Sequence, residues 1–185
     1  MRVLFVCSGN ICRSPLGAQV LTARLGPDAQ AFTVESAGTI ADDGAAMDGP
    51  AAAQSARLGG DPSTHRSRYL TEQIAASADL VLTAERSHRA AVVSLAPRAA
   101  KRAFTIKQFA RVLDGLEPED LSGIETAQDL VERVARLRGT VPPPADPADD
   151  DVDDPYRRSD ETHVRVANEI DAALAPIADA LRALR

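Results

Sequence analysis

Tryptophan is absent from this 185-residue chain, and Phe and Tyr together make up 3% of it, so its core must be built from aliphatic side chains. Lysine is nearly missing as well. Lys101 and Lys107 are the only two, the net charge is −6, and the pI is about 5.1. That balance removes the basic footprint required by a nucleic acid or by an acidic membrane surface, so neither is expected as a partner. No apolar run approaches the ~20 residues that cross a bilayer, and the opening run through Cys7 lacks the length and cleavage site of a signal peptide; the expected location is the cytoplasm. Cysteine is limited to Cys7 and Cys12, which form no CxxC pair. With only His65, His88 and His163 besides, no metal-ligand spacing exists, so no metal or organic cofactor is expected. In a reducing compartment the two thiols have either a packing or a chemical role.

The composition, 44% hydrophobic and 26% charged, is that of a globular domain. With no internal repeat and no long linker, residues 1–185 read as one domain. Residues 2–7 form an apolar run of strand length that breaks into Ser8-Gly9-Asn10, a cluster suited to positive φ. Ser14 as cap and Pro15 at the first helical position then open a helix, with Leu16, Val20, Leu21 and Leu25 at helical spacing. Further strands are expected at 32–36, 79–83 and 103–106, and helices at 50–58, 86–95, 107–113 and 126–137. Alternating strands and helices predict an α/β fold with a four-stranded parallel sheet covered by helices on both faces. Residues 139–154 are rich in Pro and Asp, with six aspartates from Asp146 to Asp154, and read as a solvated loop with no packed element. An amphipathic helix capped by Ser159 closes the chain, with Pro176 expected to kink or interrupt it.

The chemistry concentrates at Cys7-Ser8-Gly9-Asn10-Ile11-Cys12-Arg13-Ser14-Pro15. A thiol at a strand end, five residues, then an arginine and a helix start would wrap the backbone N–H groups of Ser8 to Ser14 around one point, which favours an anion. The same field favours thiolate over thiol, making Cys7 a nucleophile, and the planar fork of Arg13 matches two phosphoryl oxygens. Cys7 as an ordinary buried hydrophobe at a strand end is the competing reading. It is outweighed because every intervening position also suits an anion cradle. Neither GxxxxGK[ST] nor GxGxxG is present, which removes nucleotide-cradling loops as an alternative here.

These residues resemble the low-molecular-weight protein-tyrosine-phosphatases. The family's Cys-x-Gly-Asn-x-Cys-Arg-Ser-Pro signature stands complete at Cys7 to Pro15. The likeness extends through Ser36-Ala37-Gly38-Thr39 and the Asp-Leu-Val-Leu run at Asp79 to Asp154-Pro155-Tyr156. The resemblance implies that Cys7 is the nucleophile, that Arg13 binds the phosphoryl group, that Ser14 donates to the Cys7 sulfur, and that Ser36 and His65 hold Asn10. Cleavage needs a proton for the leaving oxygen and later a base for water, tasks one carboxyl can perform in turn. The resemblance selects Asp154 for this and Tyr156 as a pocket wall, although any of the aspartates upstream could reach the site. It also implies phosphotyrosine proteins as substrates and, through Arg157-Arg158-Ser159, the bacterial members found with tyrosine autokinases.

Two departures stand out: residues 40–46 contain no aromatic to stack on a substrate ring, and the acidic loop is an addition. Cys12, which hydrolysis does not use, is either packing under the loop or a redox partner for Cys7. Two rival functions follow. One is arsenate reduction, or arsenate transfer to a small thiol, on the same fold; the other is an inactive phosphoprotein-binding module.

Overall fold

A computed structural model describes residues 1–184. Its centre is β1 (Arg2–Cys7), flanked by β2 (Thr33–Gly38) on one side and by β3 (Leu80–Thr83), then β4 (Ala103–Thr105), on the other. All pairings are parallel, with Val3 opposite both Val34 and Leu80. The helices between and after the strands are α1 (Arg13–Leu25), α2 (Gly49–Arg57), α3 (Glu72–Ser77), α4 (Arg86–Leu95), α5 (Ile106–Asp114), α6 (Ala127–Leu137) and α7 (Asp160–Ala183).

The period of two along β1 divides the core. Val3, Phe5 and Cys7 join the larger cluster, with Leu21 of α1, Phe109 of α5, Leu130 of α6 and Ile170 of α7. Leu4 and Val6 face the other way, onto Ala75 of α3 and Val92 of α4. Helices therefore cover both faces, as the alternating pattern predicts. Gly17 brings α1 close to the sheet: a Cβ there would lie 2.8 Å from the Phe5 ring. No helix among the described residues is long and apolar enough to cross a membrane.

Three local expectations are corrected, the interruption at Pro176 among them, and one element is new. Helix α1 starts at Arg13 with Cys12 in the cap position and no side-chain cap bond, because the Ser14 hydroxyl is engaged inside the loop. Positive φ in that loop falls on Asn10 (54°) and not on Gly9. Helix α7 continues through Pro176, and α3 is an element the periodicity did not signal.

The largest correction concerns the end of the 139–154 run: residues 139–149 are mostly exposed, as expected of a solvated loop, but Asp150 and Val152 are packed. A 3-10 turn spans Pro147–Asp150, and Val152 is 0% exposed, with its N–H donating to the Ala84 carbonyl at 2.8 Å. Asp150 is buried against Arg111 through two bonds of 3.2 and 2.8 Å. Asp151 holds Arg86 (3.0 Å) and Asp153 holds Arg165 (2.8 Å). Composition reads the run as solvated, yet separate arginines neutralise three of its charges while Val152 anchors it in the core.

Candidate active site

In an open parallel sheet a ligand crevice forms at the carboxyl ends of strands whose connections depart in opposite directions. Here those strands are β1, which crosses to β2, and β3, which crosses to β4. Cys7 ends β1, and Glu85 lies just beyond Thr83, the end of β3.

Residues 8–12 make the turn from β1 into α1. Among the described residues none of the N–H groups of residues 9–14 donates to a backbone carbonyl, which leaves a set of donors for an anion. The loop is held from inside by Asn10, which is 0% exposed. Its Nδ2 donates to Ser14 Oγ (2.9 Å) and Ser36 Oγ (2.8 Å), and its Oδ1 accepts the Arg68 N–H (2.9 Å). That last bond fixes which way the amide points. His65 Nε2 donates to the Asn10 carbonyl at 2.7 Å. A Cβ on Gly38 would sit 2.4 Å from the Ser8 carbonyl, so only glycine lets β2 pass under the loop.

The polarity of this network reaches the thiol. Ser14 Oγ lies 3.0 Å from Cys7 Sγ and already accepts from Asn10, so its own proton is free to point at the sulfur. A longer contact to the Ala37 carbonyl, 3.4 Å, is its only competitor. The hydroxyl is thus placed to donate a hydrogen bond to the Cys7 sulfur. Cys12 is pushed well up from the ordinary thiol range by burial, with the Asp48 charge adding to the effect.

Arg13 is 2% exposed. Its Nη1 donates to a Glu85 carboxylate oxygen and to the Val152 carbonyl (2.9 Å), and Nη2 pairs with Asp154 Oδ2 at 3.3 Å. Nε is buried and without a partner, an orphan donor that a phosphoryl oxygen would satisfy. Burial alone would raise the Glu85 carboxyl, but the bond and charge of Arg13 outweigh it and hold Glu85 below the usual range.

Ser8 Oγ lies 2.8 Å from Nε2 of the buried His88. Burial lowers His88, partly offset by the Glu85 charge, and burial likewise lowers His65 against its bond to Asn10.

The structure thus brings Cys7, Asn10, Arg13, Ser14, Ser36, His65 and Asp154 together. Of the acidic loop, only Asp154 pairs with Arg13. Tyr156 is 42% exposed, its ring 5.1 Å from the Arg157 guanidinium, and its N–H donates to Asp154 Oδ1 at 3.3 Å. Ile40, where an aromatic is missing, is 74% exposed and donates its N–H to the Ser8 carbonyl at 3.0 Å. Sequence reasoning missed Glu85 and His88, and singled out Arg68 only as context for His65, without its N–H bond to Asn10. The first two could have been flagged by their place just after a fully buried strand, at the carboxyl end of a parallel sheet.

The family model for low molecular weight phosphotyrosine protein phosphatase matches residues 2–132. The chain belongs to that family. It is therefore an enzyme, a phosphatase. A low molecular weight protein-tyrosine-phosphatase of Escherichia coli K12, Etp, is 31% identical over 136 residues, 72% of this chain and 89% of that protein. A protein-arginine-phosphatase of Geobacillus stearothermophilus is 35% identical over 114 residues, 62% of this chain and 74% of that protein. The solved structure of Vibrio vulnificus Wzb in complex with benzylphosphonate superposes with a TM-score of 0.70 at 28% identity, covering 97% of this chain and 98% of the other. The family match ends before Asp154, so the placement of that carboxylate rests on its own geometry.

Proposed function

We propose that this phosphatase hydrolyses phosphotyrosine in proteins through a cysteinyl-phosphate on Cys7. The observation that supports the reading most directly is the Ser14 hydroxyl 3.0 Å from the Cys7 sulfur while it accepts a bond from Asn10 Nδ2. The Cys7 thiolate attacks phosphorus. The P–S bond forms as the bond to the tyrosyl oxygen breaks, and a protonated Asp154 gives that oxygen its proton. Arg13 Nε and the unpaired N–H groups of the loop stabilise the charge on the non-bridging oxygens. Water then attacks phosphorus and yields its proton to the Asp154 carboxylate. Inorganic phosphate departs, and the thiolate returns to the Ser14 hydroxyl.

An aryl leaving group suits the two exposed apolar side chains attached to the site, Ile40, whose N–H donates to the Ser8 carbonyl, and Tyr156, two residues after Asp154. Phosphoarginine is a second reading, raised by the similarity to a protein-arginine-phosphatase. Comparing kcat/KM on a phosphotyrosine peptide and a phosphoarginine peptide, with thiol-dependent arsenate reduction assayed in parallel, tests the proposal. The phosphotyrosine peptide is expected to lead, and a lead for either competitor overturns it.

A further inference from the structure

At the opposite end of the sheet, where β4 begins, a cleft of about 650 Å³ opens between the 3-10 turn Pro97–Lys101 and helix α6. Arg98, Lys101, Arg102, Arg136 and Arg138 line it. The chain has 21 Lys and Arg in all and a net charge of −6. An acidic protein therefore places five cations, one of its two lysines among them, around a single cleft.

Among the described residues none of the five is ion-paired, although Glu132 lies on the same rim. Two of them are nevertheless fixed. Arg102 donates to the carbonyls of Arg98 (3.2 Å) and Ala76 (2.9 Å). Arg138 donates to those of Ala100 (3.4 Å) and Ala103 (3.0 Å), and its guanidinium carbon lies 3.7 Å from the centre of the Phe104 ring. Carbonyl partners set the direction of each fork and leave its charge uncompensated. The Nε atoms of both arginines are buried and have no partner. Carbonyl capping explains why Arg102 and Arg138 are there. It does not explain three further cations gathered against them, an arrangement whose self-repulsion costs stability unless an anion answers it.

We infer that this cleft binds a small polyphosphorylated ligand, a polyphosphate chain free or borne on a nucleoside. Guanidinium forks match the paired oxygens of phosphate in a way that a run of lysines does not, and four of the five cations are arginines. The volume suits a ligand of nucleotide size. Ala100, Val131 and Ala135 add an apolar floor on which a base could rest. Burial and the neighbouring charge of Arg89 push Arg138 down to about 10, so a bound anion would relieve a charge already under pressure.

The test is calorimetric titration of the full chain with tripolyphosphate and, separately, ATP. In an Arg13→Ala background the active-site clamp is gone, and both ligands should still bind. Adding Lys101→Glu and Arg136→Glu, two exposed residues without a side-chain hydrogen bond, should weaken that binding by about tenfold or more. In the chain that keeps Arg13, the same pair of reversals should remove one of two binding events while aryl-phosphate hydrolysis stays unchanged. This arm serves if the Arg13→Ala protein fails to fold. Tighter binding of ATP than of tripolyphosphate identifies a nucleotide, and equal binding identifies the phosphate chain alone. Absence of binding in the folded Arg13→Ala protein, or an affinity within about twofold after both reversals, overturns the inference.

Discussion

Asp150 and Asp154 lie in one loop, and neutralising each should give opposite signatures. Asp154 is 51% exposed and pairs only with Arg13, at 3.3 Å, so Asp154→Asn should change stability by no more than the ~0–1 kcal/mol of a screened ion pair. As the proton donor it should instead cost ~10²–10⁴ in turnover, which is roughly 2.7–5.4 kcal/mol of transition-state stabilisation. The loss should be smallest for p-nitrophenyl phosphate and largest for phenyl phosphate, whose poorer leaving group needs the proton more. Asp150 is 10% exposed and grips Arg111 through two bonds. Asp150→Asn leaves that guanidinium partly buried and unpaired, a cost of about 1–3 kcal/mol. At ~2–4 °C per kcal/mol for a domain of this size, melting should fall by roughly 2–12 °C, while kcat on folded protein changes little. Circular dichroism melts and steady-state kinetics on both substrates separate the two variants. The reasoning fails if Asp154→Asn hydrolyses phenyl phosphate at the wild-type rate. It fails equally if Asp150→Asn loses more turnover than Asp154→Asn at an unchanged melting temperature.

Cys7→Ser should abolish turnover of an aryl phosphate yet keep binding inorganic phosphate, whereas Arg13→Ala should lose both; substantial residual hydrolysis in Cys7→Ser would refute the covalent step. Burial lowers His65 and His88 from 6.5, so below that pH the unfolded chain takes up protons that the folded chain does not, and stability falls as pH drops through this window. His65→Gln should reduce that slope in denaturant titrations, and an unchanged slope would show that His65 takes no part in it. Peroxide should inactivate the wild type in a way a dithiol reverses, with a Cys7–Cys12 bond visible by mass spectrometry. Cys12→Ser should lose that recovery, and equal recovery in the two proteins would leave Cys12 a packing residue.

What the sequence made legible is what is contiguous in it. Cys7 to Ser14 carries the proposed nucleophile, cradle and clamp within one loop, and the strand before it and the helix after it follow from period and punctuation alone. The partners of that loop are not contiguous. Glu85 is 72 residues from Arg13, His88 is 80 from Ser8, and Arg68 is 58 from Asn10, so only the parallel topology that stacks strand ends side by side brings them within reach. Local rules also lost to tertiary ones where both applied. Ser14 has the chemistry of a helix cap, but Asn10 and Cys7 compete for the same hydroxyl and win it. Within the run from Asp146 to Asp154 the stretch Asp150 to Val152 is packed although the composition rule calls the run solvated, because that rule counts charges and not partners. Arg86, Arg111 and Arg165 meet Asp151, Asp150 and Asp153, and the backbone between them can then fold onto the core.

Those pairings bear on which carboxylate handles the proton, since Arg13 touches two. Glu85 meets Nη1 of Arg13 and accepts the Ser87 hydroxyl at 2.9 Å. It is held below the usual carboxylate range, so it stays charged through the working pH and accepts hydrogen bonds without donating. Such a group orients the guanidinium. Asp154 has one ion-pair contact among the described residues, the longer of the two, and a half-exposed side chain. Three of its loop neighbours are withdrawn from the contest: Asp150, Asp151 and Asp153 are committed to arginines elsewhere, and among the described residues Asp146 and Asp149 make no ion pair with Arg13. The acidic loop thus works by subtraction. Arg111, Arg86 and Arg165 pin the segment, the Val152 carbonyl binds Arg13 from behind, and the chain emerges at Asp154 with one carboxyl facing the clamp. Two carboxylates thus meet one arginine: Glu85, held below the usual range, and the half-exposed Asp154, the one the proposed mechanism uses as acid and base.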